Sequence, residues 1–115
     1  MKVHEGVFVS TLSTQEWEPD PEVGGEMHIL CAGLEVEAGL SRFPPGGDQP
    51  IRWTLPARET LLVLQGHARI EIAGGPTLEL GPGDMASLPQ GADTTWHLTT
   101  PFKEFWVLAQ RQRAV

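Results

Sequence analysis

Apolar and polar residues alternate along much of the chain, in short segments that are separated by residues typical of turns. In HARIEI, the apolar residues Ala68, Ile70 and Ile72 alternate with polar ones, which is the period of a strand with one buried face. In LLVL, residues 61–64, every position is apolar, as in a barrel strand that is also covered from outside. Turn signals recur about every eight to twelve residues, the spacing of a sandwich or barrel. The pattern therefore predicts an all-β fold with little or no helix.

Nine segments have the composition of strands. They are MHILC, LEVEAGLSRF, IRWTL, TLLVLQ, HARIEI, TLEL, MASLP, TTWHLTT and EFWVLAQ. The turns between them include PPGGD, AGGP, GPGD and PQG. AGGP joins HARIEI to TLEL as a hairpin, because glycine supplies the positive φ that such loops require. We expect Gly66 and the pair Gly83–Asp84 to lie at strand ends.

Size and charge limit the classes of partner. The 115 residues fit one domain, and the formal net charge of −7 would repel nucleic acid and anionic membranes. We therefore expect neither as a partner. The single cysteine, Cys31, cannot form an internal disulfide, and the chain opens without a charged-then-apolar leader. These features favour a cytoplasmic location.

Two sets of residues follow one another with the order and spacing of known sequence motifs. The first set is Gly46, Arg52, Thr54, Glu59 and Gly66, and the second is Gly83, Pro89 and Gly91, followed by Thr94. With a hairpin between them, they resemble the two motifs of the cupin superfamily. The flanking segments are similar to those of small single-domain cupins related to ethanolamine-utilisation and ureidoglycine aminohydrolase proteins.

The resemblance implies a jelly-roll barrel, also called a double-stranded β-helix. Residues 1–30 would form an N-terminal arm that packs on the barrel, and residues 31–115 the barrel itself, within one domain. One such fold hosts many different chemistries, so the resemblance is much more specific for the fold than for the function.

The resemblance also implies where a metal would bind. Metal-dependent cupins use two histidines and a glutamate from the first motif and one histidine from the second. The matching positions here are Arg52, Thr54, Glu59 and Thr94, and only the glutamate is a good ligand. Threonine is a poor ligand for a transition metal, and the charge of arginine repels a cation. We expect no metal and no other cofactor, with a displaced site that uses His28 as the alternative.

Five residues are predicted to face the mouth of the barrel. They are Arg52, Thr54, Glu59, Thr94 and Trp96. In one interpretation Arg52 and Glu59 form a buried structural ion pair, because buried charges need partners. In the other they line a polar pocket, where Arg52 binds a carboxylate or phosphate and Glu59 binds an amine or acts as an acid or base.

Three functions agree with these observations. The first is a metal-free binding module for a small polar or anionic metabolite. The second is an enzyme of the aminohydrolase, isomerase or lyase type, with Glu59 or a displaced metal at its centre. The third is an accessory protein that acts mainly as a homodimer. We expect a homodimer in any case, because the apolar segments LLVL and FWVL exceed what one small core can bury.

Overall fold

Ten β-strands make up the secondary structure of the computed structural model, which describes residues 1–46 and 49–109. They are β1 (Lys2–His4), β2 (Val7–Phe8), β3 (Glu18–Pro19), β4 (Glu26–Ala32), β5 (Val36–Phe43), β6 (Ile51–Thr54), β7 (Arg58–Ile72), β8 (Thr77–Leu80), β9 (Met85–Leu88) and β10 (Asp93–Ala109). The described residues contain no α-helix, and hence none that is long and apolar enough to cross a membrane. The predicted all-β fold is confirmed. The end of the predicted turn PPGGD and the last residue of EFWVLAQ lie outside the described residues.

Two long antiparallel strands, β7 and β10, run side by side through the barrel. Strands β5 and β6 pair with opposite ends of β10, and β9 and β8 pair with opposite ends of β7. The strands are hydrogen-bonded in the order β3-β4-β5-β10-β7-β8, and β1 pairs only with β2. The two halves of each long strand therefore lie at opposite ends of the barrel and pair with different short strands.

Gly66 lies inside β7 rather than at a strand end, so that part of the sequence prediction is wrong. The segments TLLVLQ and HARIEI form one continuous strand through it. Gly66 has a φ of 80°, and an added Cβ would lie 2.5 Å from the carbonyl oxygens of Thr99 and Pro101 on β10. The absence of a side chain lets β7 pass this irregular part of β10 closely. The prediction for Gly83–Asp84 is confirmed, since both lie between β8 and β9.

The hydrophobic core fills the interior of the barrel, where β7 and β10 contribute many of its residues. Its fully buried members include Leu55, Leu61, Val63, Ile70 and Phe102. On β7, Leu61 and Val63 follow a period of two before Gly66, and Ala68 and Ile70 follow it after Gly66, as the alternation in HARIEI indicated.

The segment before β4 is held on the outside of the barrel by polar contacts. The buried His28 lies with Nε2 2.7 Å from the hydroxyl of Ser10 and donates from Nδ1 to the carbonyl oxygen of Glu16 at 2.8 Å. Lys103 donates to the carbonyl oxygen of Leu12 at 2.7 Å. The boundary predicted at residue 30 falls inside β4, and the division into arm and barrel stays a prediction.

Candidate functional site

A cavity of about 130 Å³ opens between the strands, with carboxylates and aromatic rings in its walls. Its acidic lining residues are Asp20, Glu22, Glu37, Glu59 and Glu104. Its main apolar lining residues are Phe43, Ile51, Trp53, Trp96, Leu98 and Trp106. Among the described residues, no lysine, arginine or histidine lines this cavity. The site is therefore rich in hydrogen-bond acceptors and lacks basic side chains.

Strand β6 presents its apolar face to the cavity. Ile51 and Trp53 line the cavity, whereas Arg52 and Thr54 are exposed. The register agrees with this placement, since Trp53 lies opposite the buried Thr94 and Arg52 lies opposite Thr95. The prediction that Arg52 and Thr54 line the ligand pocket in the barrel mouth is not met in this cavity, and Arg52 instead lines a second pocket that shares Ile51 and Leu98 with it. Ile51 and Trp53 take the inward positions, because burial removes their surface from water.

The predicted ion pair between Arg52 and Glu59 is also not formed in the described structure. Glu59 is only 6% exposed, and its Oε1 accepts a hydrogen bond from Nε1 of Trp53 at 3.2 Å. The indole of Trp53 thus takes the place that the sequence analysis assigned to the guanidinium of Arg52.

Thr94 and Trp96, the other predicted site residues, are both buried. The hydroxyl of Thr94 donates to the carbonyl oxygen of Trp53 and accepts from Nε1 of Trp96 at 2.8 Å. Trp96 lines the cavity, whereas Thr94 lies behind it. Thr94 therefore links the indole of Trp96 to the backbone of Trp53.

Glu104 is the site residue that the sequence analysis missed. It lies on β10 opposite Ser41, is 6% exposed, and its buried Oε1 has no hydrogen-bond partner in the described structure. A signal was present in the sequence, because Phe102, Glu104 and Trp106 follow the period of two that places all three on one face. A single carboxylate between two large inward aromatic residues is unusual in a purely structural strand.

The two buried glutamates influence each other. Burial raises the pKa of Glu59 from 4.5 to about 7, although the hydrogen bond from Trp53 acts in the opposite direction. Burial and the nearby charge of Glu59 raise the pKa of Glu104 well above its ordinary value. Near neutral pH, the pair can therefore take up or release a proton. In its ionised form, the pair attracts a cation.

The residues present do not fit the metal site that the resemblance implied. Of the four matching positions, Arg52 and Thr54 lie on the outer face, and Glu59 alone places a ligand in the cavity. Both ring nitrogens of His28 already have polar partners, and Met27, its neighbour on β4, is the residue that lines the cavity. Within residues 1–46 and 49–109, no group of three or more His, Cys, Asp or Glu is arranged to hold a metal ion.

Comparison with known proteins gives a family for the sequence and a fold for the structure. A family profile described as the EutQ-like cupin domain matches residues 36–105. No curated protein matches the chain in sequence. Similar solved structures include a putative ethanolamine utilization protein Q from Salmonella typhimurium, with a TM-score of 0.75 and 22% identity over 94% of this chain and 89% of that one.

Two further structures extend the comparison beyond EutQ. KdgF from Halomonas has a TM-score of 0.65 and 18% identity, over 91% of this chain and 94% of its own. An RmlC-like cupin with a double-stranded β-helix fold from Methanocaldococcus jannaschii has a TM-score of 0.64 and 12% identity, over 90% and 89% of the two chains. At these identities the likeness concerns the fold.

Proposed function

This chain belongs to the EutQ-like cupin domain family, and we propose that it is a metal-free binding module that holds a small polar molecule in the cavity beside Glu59. The main support is the unpartnered Oε1 of Glu104. A buried polar atom without a partner costs about 1 to 3 kcal/mol, so such atoms are rare in native proteins. A ligand in the cavity would supply the missing partner.

The size of the cavity supports a small ligand. A cavity of about 150 Å³ can hold a benzene molecule. The cavity here, about 130 Å³, therefore suits a molecule of about six non-hydrogen atoms. Its mixture of apolar walls and a few polar groups is typical of small-molecule sites in barrels.

An anionic ligand is not part of this proposal, because Arg52 lines a second pocket that shares Ile51 and Leu98 with this cavity and does not line the cavity itself. The anionic ligand expected from the sequence depended on Arg52, which is exposed on β6. The part of the proposal that remains is a small polar molecule bound without a metal.

Ligand-observed NMR tests this proposal. The panel contains cationic, neutral and anionic compounds of about six non-hydrogen atoms, each offered to the purified protein. The variant Leu98→Trp fills the cavity from its wall, and Met85→Trp is the matched control, since Met85 is 73% exposed and lies outside the cavity. We expect at least one class to bind the wild type and Met85→Trp but not Leu98→Trp. Binding by no class, or binding that survives Leu98→Trp, would contradict the proposal.

An enzyme is the second candidate, and the pKa of Glu59 favours it. A carboxyl group with a pKa of about 7 can take up or give off a proton at neutral pH, as a general acid or base must. Glu59 would then act on a small metabolite in an aminohydrolase, isomerase or lyase reaction.

Prolonged incubation separates the two candidates. Compounds that bind in the panel are kept with the protein and followed by NMR for product. An enzyme would convert one of them, with a rate that changes near pH 7 and that is lost in Glu59→Gln even when the compound saturates the variant. A binding module would return every compound unchanged.

A further inference from the structure

We propose that the ligand of this cavity is a small organic cation, namely a primary or secondary ammonium that carries a short apolar group. This inference rests on the proposed binding function and adds the chemical class of the ligand. It is drawn from three features of the cavity: its hydrogen-bonding groups, its charges and its aromatic walls.

The hydrogen-bonding groups of the cavity are almost all acceptors. All three indole N–H groups that reach it are already used within the protein: Trp53 donates to Glu59, Trp96 to Thr94 and Trp106 to Ser41. The carboxylates accept hydrogen bonds when they are ionised. A ligand that satisfies the free Oε1 of Glu104 in its ionised form must therefore bring a donor, and an ammonium group brings two or three.

The charges of the cavity have one sign. The acidic side chains come from the segment before β4, from β5, from β7 and from β10, and those of Glu59 and Glu104 are more than nine-tenths buried. No basic side chain of the described residues lines the cavity to balance them. A bound cation would replace the lost hydration of a buried carboxylate, whereas an anion would be repelled.

The aromatic walls suit the rest of such a ligand. Because the indole N–H groups of Trp53, Trp96 and Trp106 are engaged elsewhere, these side chains offer mainly apolar ring surface to the cavity. Indole rings attract cations and also cover alkyl groups. An ammonium on a chain of about four carbons matches both the polar and the apolar parts of the cavity, at the size that its volume allows.

Isothermal titration calorimetry with three molecules of one shape tests the charge. Butylammonium, 1-butanol and butanoate differ mainly in the head group. We expect butylammonium to bind at least tenfold more tightly than either of the others at pH 8. The affinity of butylammonium should rise about tenfold between pH 6 and pH 8. The reason is that Glu59, whose pKa is about 7, goes from about one-tenth to about nine-tenths ionised over this range.

Two variants connect this result to the buried pair. Glu104→Gln should weaken butylammonium binding at least tenfold, whereas Glu35→Gln, which changes an exposed carboxylate outside the cavity, should leave it unchanged. Tetramethylammonium, which cannot donate a hydrogen bond, should bind more weakly than butylammonium.

The outcomes separate this inference from the function on which it rests. If 1-butanol or butanoate binds at least as tightly as butylammonium, and Leu98→Trp abolishes that binding, the protein is a binding module but its ligand is not a cation. Butylammonium binding that Glu104→Gln leaves intact would also overturn the proposed cation. If no compound of any charge binds, the proposed function itself fails.

Discussion

At the scale of single residues, the main feature is a pair of carboxyl groups that the fold keeps away from water without a cationic partner in the described structure. Glu59 has one hydrogen bond from Trp53, and Oε1 of Glu104 has none. Such an arrangement lowers the stability of the fold when the groups ionise. Buried carboxyl groups with strongly shifted pKa values are concentrated at functional sites.

The pH dependence of stability should show this cost. The folded chain raises the pKa of Glu59 from 4.5 to about 7, so the folded state holds the proton more tightly than the unfolded state. The contribution of Glu59 to stability is therefore greatest below pH 4.5 and is lost as the pH rises to about 7. Glu104 acts in the same direction.

Glu59→Gln removes the ionisation and keeps an acceptor for Trp53. We expect its free energy of unfolding to exceed that of the wild type at pH 8, by on the order of 1 to 3 kcal/mol, and the difference to shrink toward pH 4. Urea denaturation at several pH values, without ligand, measures this. A variant that is less stable than the wild type at pH 8 would contradict the account.

Arg52→Ala should have little effect. The side chain is exposed, and no ion pair joins it to Glu59 in the described structure, so the change in unfolding free energy should stay within about 0.5 kcal/mol. Urea denaturation of Arg52→Ala beside Glu59→Gln checks this. A loss of several kcal/mol would instead indicate that Arg52 forms the buried ion pair with Glu59 that the sequence suggested.

The sequence predicted Glu59 as a site residue but did not predict Glu104. Glu59 was found because it lies in a recognisable motif. Glu104 lies between Phe102 and Trp106, in a segment whose apolar residues led us to expect only core and subunit contacts. Arg52 was assigned to the ligand pocket because the resemblance to the family, rather than the apolarity of its neighbours, set the phase of β6.

At the scale of elements, the irregular contact between β7 and β10 near Gly66 connects the two ends of the barrel. The turn residues and the period of two predicted where strands would lie, but not that two pairs of segments would join into single long strands. Continuity through Gly66 depends on the approach of β10 from a distant part of the sequence, which no local pattern contains.

Gly66→Ala tests how closely the strands pass. The added Cβ would meet two carbonyl oxygens of β10 at a backbone position with positive φ, so we expect a loss of about 2 to 4 kcal/mol in unfolding free energy. Gly74→Ala is the matched control, since Gly74 has a similar φ of 74° but no atom within 4 Å of the added Cβ. It should lose only about 1 kcal/mol, from strain alone. Equal losses in urea denaturation would show that the contact with β10 is unimportant.

At the scale of the whole molecule, the hairpin of β1 and β2 is a two-stranded sheet separate from the eight-stranded sheet of the barrel. The two strands pair only with each other, and Val3, Val7 and Phe8 on them are exposed. Apolar residues exposed together often mark an interface between subunits. The homodimer that the sequence predicted from LLVL and FWVL remains a proposal, and from the structure we now expect the contact on this hairpin instead.

Light scattering at micromolar concentration tests the assembly. The wild type should have the mass of a dimer, and the double variant Val7→Asp with Phe8→Asp that of a monomer, because two charges would have to be buried in the contact. Leu34→Asp changes another exposed apolar residue outside the hairpin and should leave the mass unchanged. A monomeric wild type would contradict the expected dimer.

A cation bound by the buried pair of glutamates would change how both carboxyl groups titrate, and NMR of their side-chain carboxyl carbons follows this titration. Spectra of the protein labelled with carbon-13 are recorded over pH 4 to 10, with and without saturating butylammonium, and Glu59→Gln and Glu104→Gln assign the signals. A bound ammonium stabilises the ionised form, so the apparent pKa of Glu59 should fall from about 7 by at least one unit, and that of Glu104 should fall with it. Titration curves that butylammonium leaves unchanged would contradict cation binding by the pair.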